Sequence, residues 1–75
     1  MISLDELLVV ISESFQVPIS SVSIRTSKEN TENWDSLNHL VLFLKIEDRF
    51  KIKFSIEEIQ QIDTVEKLFN LINEK

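Results

Sequence analysis

The chain has no cysteine, no glycine and no tyrosine among its 75 residues, and only one proline, one histidine and one tryptophan. Without cysteine it can form neither a disulfide nor a thiolate metal site. A single histidine cannot supply the paired His/Cys spacing of a structural zinc site, so no metal is expected. Glycine averages roughly 7% of residues in soluble domains, and its complete absence excludes Gly-rich phosphate loops and disfavours tight β-hairpin turns. Long apolar runs are missing too: nothing approaches the roughly 20 consecutive residues that span a bilayer, so no membrane role is expected. The start, Met1-Ile2-Ser3-Leu4-Asp5-Glu6, has no basic residue and is acidic before its apolar run, unlike a signal peptide. A cytoplasmic location is the resulting expectation.

The formal net charge is −5. Phosphate backbones need a Lys/Arg surface, so nucleic acid is not an expected partner, and an anionic membrane face is disfavoured for the same reason. An acidic chain of this kind suits a protein that meets basic patches on its partners. The length allows one domain, spanning residues 1–75. A domain this short buries only about 60% of the surface its unfolded chain exposes, so apolar packing and helix caps must hold it.

Helical periodicity dominates what is present. Ser3 followed by Glu6 forms a capping box, and Leu4, Leu7, Leu8, Ile11 and Phe15 then fall at helical spacing. Pro18 predicts an end to this first helix by about residue 16. A long connection follows, from about Gln16 to Trp34, with Ile19, Val22 and Ile24 as apolar anchors and a polar run from Arg25 to Asn33. Loops of this length in compact domains are usually functional or disordered; the reading here is an anchored loop. A second helix is predicted from about Ser36 to Phe50. Ser55 and Glu58 make another capping box for a short third helix carrying Ile56 and Ile59, with Ile62 beyond. A fourth begins at Asp63 or Thr64 and carries Val65, Leu68, Phe69 and Ile72. The expected fold is all-α: a small four-helix bundle, three main helices plus a short third, with a long loop between the first two.

The second helix has two apolar faces. At about 100° per residue, Leu42, Phe43, Ile46 and Phe50 cluster on one side and Leu37, Leu40, Val41 and Leu44 on nearly the opposite side. A surface helix normally shows one such stripe. Either this helix is central and covered on both sides, or Leu37, Leu40, Val41 and Leu44 form an exposed patch for partner proteins. In the second case Glu47 and Asp48 lie at the patch edge, where their charge could steer a basic partner.

Asp35-Ser36-Leu37 stands at the start of this helix, after the polar loop. Asp and Ser are ordinary N-cap residues, so the tripeptide alone is a weak signal. Its placement is more telling. With the Ile46-Glu47-Asp48-Arg49-Phe50 segment one helix-length on and Ile62-Asp63-Thr64-Val65 at the entry to the last helix, the chain resembles the acyl carrier protein family. The resemblance implies that a phosphopantetheinyl transferase moves 4'-phosphopantetheine from coenzyme A onto Ser36. It further implies that acyl groups are held as thioesters on that arm and processed by acyl-loading and acyl-processing enzymes. Asp35 and Leu37 would engage the transferase, and the family's usual state is a monomer. A phosphodiester on Ser36 would place an anion where a helix N-terminus favours one.

The chain departs from the fatty-acid carriers in having Asn33-Trp34 where they usually have Gly-Ala. It also has Asn38 and Val41 where they tend to carry carboxylates, and its Lys45 and Arg49 dilute the acidity further. This favours a dedicated carrier in a secondary biosynthetic pathway over one serving the usual fatty-acid synthase; peptidyl carriers, with Gly-Gly before the motif, fit imperfectly too. Phe43, Leu68 and Phe69 are bulky where family members often carry smaller side chains, which predicts short or polar cargo, or cargo left outside the bundle. No catalytic residue is assigned: Ser36 has only His39 nearby, on the same helix, and no third group to orient it. His39 is expected to pack, meeting Trp34 as a staple across the helix start. The competing readings are an unmodified helical interaction module that leaves Ser36 bare, and a small hydrolase, for which no nucleophile–base–orienter set exists.

Overall fold

Each helix begins where a short polar side chain can take up the free N–H groups of a first turn, and the computed structural model, which describes residues 2–75, places the boundaries accordingly. Met1, the first residue of the domain read from the sequence, lies outside the described residues. Helix α1 spans Leu4–Phe15. Its N-cap Ser3 accepts the Glu6 N–H at 3.1 Å, and Glu6 Oε1 accepts the Ser3 N–H at 3.1 Å. That returned N–H holds the Glu6 carboxyl below the ordinary carboxylate range. Helix α2 spans Ser36–Phe50, α3 Ile56–Gln61 and α4 Val65–Glu74. Ser55 and Glu58 form the second capping box, and the Ser55 N–H, aided by Lys75, lowers the Glu58 pKa. Thr64 settles the choice at the last helix: its Oγ1 accepts the Lys67 N–H at 3.1 Å.

With no glycine available, the chain ends two helices on residues in the left-handed region. Gln16 after α1 has φ 57°, and Lys51 after α2 has φ 58°. The turn at Gln16 stops α1 before Pro18 is reached; the Val17 N–H closes it by donating to the Ser12 carbonyl at 3.1 Å.

The core is one cluster. Helix α1 contributes Leu7, Val10, Ile11 and Phe15; α2 contributes Leu42, Phe43 and Ile46; α4 contributes Val65, Leu68 and Ile72. Val10 is buried although it lies off the predicted stripe, while Leu4 and Leu8 are only half-buried. Aromatic rings knit the elements together. Phe15 packs on Trp34 with centroids 5.5 Å apart, His39 meets Phe43 edge-on at 5.0 Å, and Phe43 meets Phe54 edge-on at 4.9 Å.

The long loop is ordered by its own polar side chains. It opens with a 3-10 turn over Ile19–Ser21. Val22 is a buried anchor and Ile24 a half-buried one, but Ile19 is 50% exposed and anchors nothing. The buried Thr26 accepts the Ser23 N–H at 2.9 Å, and Asn30 Oδ1 accepts the Ser27 N–H at 2.9 Å. The loop is pinned to the start of α4: the Val65 N–H donates to the Thr26 carbonyl and the Lys28 N–H to the Asp63 carbonyl, each at 2.9 Å. Val65 is the first residue of α4, so its N–H has no acceptor inside the helix. Ser27 and Thr64 form an isolated antiparallel bridge, and no strand develops among the described residues.

Candidate functional site

The loop and α2 meet at Trp34-Asp35-Ser36. Asp35 is the N-cap of α2, its carboxylate accepting the Asn38 N–H at 2.8 Å. Ser36 is the first helical residue and is exposed. The N–H groups of Ser36 and Leu37 have no acceptor within the helix, so they and the helix dipole favour an anion at this end. Asp35 works against that by placing a carboxylate one residue away. The loop does not cover the hydroxyl; its polar run is drawn off toward α4 by the Thr26 and Lys28 bonds.

Side chains behind Ser36 fix the junction. The Trp34 indole Nε1–H donates to His39 Nδ1 at 2.9 Å, and His39 Nε2 lies 2.6 Å from the Ile59 carbonyl oxygen of α3. The two rings do meet across the helix start, as the staple reading expects, but through a hydrogen bond as well as stacked packing at 6.2 Å. Asn33 and Asn38 add a second rung: Asn38 Nδ2 donates to the Asn33 carbonyl at 2.8 Å, and Asn33 Nδ2 donates to the Phe15 carbonyl at 3.0 Å. The residue pattern alone did not identify the Asn33–Asn38 rung or the His39–Ile59 contact. The five-residue spacing shared by Asn33/Asn38 and Trp34/His39 was the available signal. Both His39 nitrogens are engaged and neither reaches toward Ser36 as a base. Burial is the larger influence on the ring and holds its pKa below the ordinary value.

The second face of α2 is exposed. Leu37, Leu40 and Leu44 are 70%, 54% and 65% exposed, and Val41 is half-buried between them. Leu42, Phe43 and Ile46 on the opposite face are buried, so α2 is not covered on both sides. Ile56 at the start of α3 adds another exposed apolar side chain, 70% exposed. At the far end of α2, Asp48 is exposed and Glu47 half-buried, its Oε2 accepting the Phe54 N–H at 3.0 Å. Leu44, Glu47, Asp48, Lys51, Ile52 and Lys53 line an open surface groove there. Arg49 is turned away from it into an ion pair with Glu13 at 3.0 Å. Among the described residues no cluster of acidic and histidine side chains is placed to hold a metal ion, and no helix is long and apolar enough to cross a membrane.

No family model matches the sequence. Among solved structures, the solution NMR structure of a holo acyl carrier protein from Geobacter metallireducens matches with a TM-score of 0.86 and 32% sequence identity, covering 100% of this chain and 86% of the other. The match embraces all four helices and the intervening loop, at an identity that carries family as well as fold. A bundle capped at Ser3, Asp35, Ser55 and Thr64, with a serine exposed at the head of its second helix, thus belongs to the acyl carrier protein family and is a carrier, not an enzyme.

Proposed function

We propose that this carrier holds its acyl intermediates as thioesters on a 4'-phosphopantetheine arm attached to Ser36. The observation that carries the reading is the Ser36 hydroxyl, exposed at the first position of α2 beside its Asp35 cap, in a chain whose relative was solved in a holo form. The local chemistry fits the group: free N–H groups of a helix N-terminus face the place a phosphodiester would occupy, and the hydroxyl is open to an enzyme. In the attachment step the Ser36 oxygen bonds to the phosphorus bearing the pantetheine of coenzyme A. The bond to the departing 3',5'-adenosine diphosphate breaks, and the hydroxyl proton passes to a base on the transferase. Once attached, the arm supplies the thiol that forms the thioester.

The remaining residues position and recognise. Asp35 fixes the helix start, and Leu37, beside the hydroxyl, offers an apolar contact to the transferase. Leu40, Val41 and Leu44 continue that contact along α2 for the enzymes that load and process the acyl group, with Glu47 and Asp48 at its far edge. Between residues 36 and 55, those two carboxylates are set against Lys45, Arg49, Lys51 and Lys53, so docking here relies on apolar contact more than on a basic patch in the partner. That composition favours a dedicated biosynthetic pathway. Phe43 and Leu68 are buried in the core cluster, and Phe69 closes its edge half-buried. Close packing there leaves a long acyl chain little room, so the cargo is short or polar, or stays outside the bundle.

Incubation with coenzyme A and a broad-specificity phosphopantetheinyl transferase tests the assignment. The protein should gain the mass of one phosphopantetheine, and Ser36→Ala should gain none. A protein that stays unmodified while a control carrier is labelled is instead a helical interaction module using the same leucine face.

A further inference from the structure

Two side-chain rungs straddle Ser36, and one of them contains the chain's only histidine. The Asn33–Asn38 rung reaches back to α1 through the Phe15 carbonyl. The Trp34–His39 rung reaches forward to α3 through the Ile59 carbonyl. The indole nitrogen can only donate, so His39 Nδ1 must accept and carries no proton. The ring proton is then on Nε2, directed at the Ile59 carbonyl oxygen. One neutral tautomer satisfies both partners, and the imidazolium satisfies only Ile59 while setting two donors, Nδ1–H and the indole N–H, against each other. Helix α3 has six residues and none of them is fully buried, so this tether adds to the half-buried Ile59 packed against the core and the Glu58–Lys75 ion pair in holding it.

We propose that His39 is a positioning residue for attachment at Ser36: as the neutral Nε2–H tautomer it fixes the Trp34-Asp35-Ser36 turn and holds α3 to it, and as the imidazolium it loosens both. This rests on Ser36 being the attachment residue. The ring is 6% exposed. From the loop it faces the Trp34 indole, from α2 the Phe43 ring and from α3 the Ile59 carbonyl, none of which titrates in the relevant range. The charged side chain acting on it is Lys28 of the loop. Lys28 disfavours the imidazolium, as burial does, while the Ile59 carbonyl favours it. Presentation of Ser36 therefore weakens as the solution becomes acidic, through a contact about one turn of helix away from the hydroxyl.

His39→Gln separates this role from a purely structural one, because an amide offers one acceptor and one donor but does not titrate in this range. The apo forms of the wild type and His39→Gln are mixed in one tube with limiting coenzyme A and a broad-specificity transferase, and their labelling is compared by mass spectrometry. The transferase's own pH response cancels in the ratio. The two should label alike at about pH 7.5, with the wild type falling behind by about fivefold toward pH 5, the fold-change of one lost hydrogen bond. His39→Leu should lag the wild type at neutral pH. A ratio of wild type to His39→Gln that stays constant with pH would overturn the proposal, as would His39→Leu labelling as fast as the wild type. The imidazole nitrogen shifts of the unmodified wild type provide an independent test: Nε2–H is expected, and Nδ1–H overturns the proposal even if Ser36 is labelled. Absence of label on Ser36 in every variant would instead remove the attachment reading on which the proposal depends.

Discussion

Acidification below about pH 6.5 should unfold this protein more readily, and the cause should lie in the buried His39 ring and its contact with Trp34. Protonating Nδ1 removes a hydrogen bond worth about 1 kcal/mol and leaves a nearly buried donor facing another donor, a further cost of about 1–3 kcal/mol that side-chain relaxation will partly relieve. A net loss of about 1–2 kcal/mol is a large share of the roughly 4–11 kcal/mol expected of a 75-residue domain. The direction follows from the lowered pKa of His39, which burial of the ring, with Lys28, holds below its ordinary 6.5. The unfolded chain binds the proton first, so this stability is present above about pH 6.5 and is lost as the pH falls through that value toward the folded pKa. The carboxyls of Glu6 and Glu58, also lowered, act below their ordinary 4.5 and fall outside this window. Urea unfolding followed by far-UV circular dichroism at about pH 7.5 and about pH 5 measures the effect. Dichroism is needed because Trp34→Phe, the informative variant, removes the single tryptophan. At neutral pH that variant should be less stable by about 1–3 kcal/mol, because Nδ1 loses its donor. Its further loss on acidification should be smaller than the wild type's, because no indole N–H then opposes the proton. A wild type whose midpoint does not move between these two pH values, or a Trp34→Phe variant with an equal or steeper pH slope, would refute the reasoning.

Other perturbations separate core, turn and surface. Leu42→Ala, at a fully buried position, should cost about 2–5 kcal/mol in urea unfolding. Gln16→Gly and Lys51→Gly should each raise stability by about 0.5–1 kcal/mol, the relief of a left-handed side-chain penalty less the added freedom of the unfolded chain; a drop in thermal midpoint would contradict this. Leu44→Asp should change stability by less than about 0.5 kcal/mol but slow loading by a partner enzyme, which a time course of acylation would detect. Arg49→Ala should cost no more than about 1 kcal/mol, since both it and Glu13 are more than half exposed.

The fold was legible wherever a local rule operates. The capping boxes at Ser3 and Ser55 place α1 and α3 within a residue, and Asp35-Ser36 places the start of α2. The two stripes of α2 were equally plain, but periodicity could not say whether Leu37, Leu40 and Leu44 were covered. That depends on where the other helices pack, and only the tertiary structure leaves them in solvent. Ile56 could not be assigned a face, because a helix of less than two turns has too little periodicity. Ile19 misled because apolar spacing within a loop carries no fixed orientation. The Trp34–His39 pairing was readable from the N' and N4 positions, but its reach to the Ile59 carbonyl was not. A contact across 20 residues to a backbone atom leaves no trace in side-chain pattern.

The attachment site can be read directly from one peptide. Cleavage after Lys28 and Lys45 releases residues 29–45, in which Ser36 is the only serine. After incubation of the full-length protein with coenzyme A and transferase, tandem mass spectrometry of this peptide should place the added phosphopantetheine on Ser36. An unmodified 29–45 peptide with the added mass on another serine, or on none while a control carrier is labelled, would contradict the assignment.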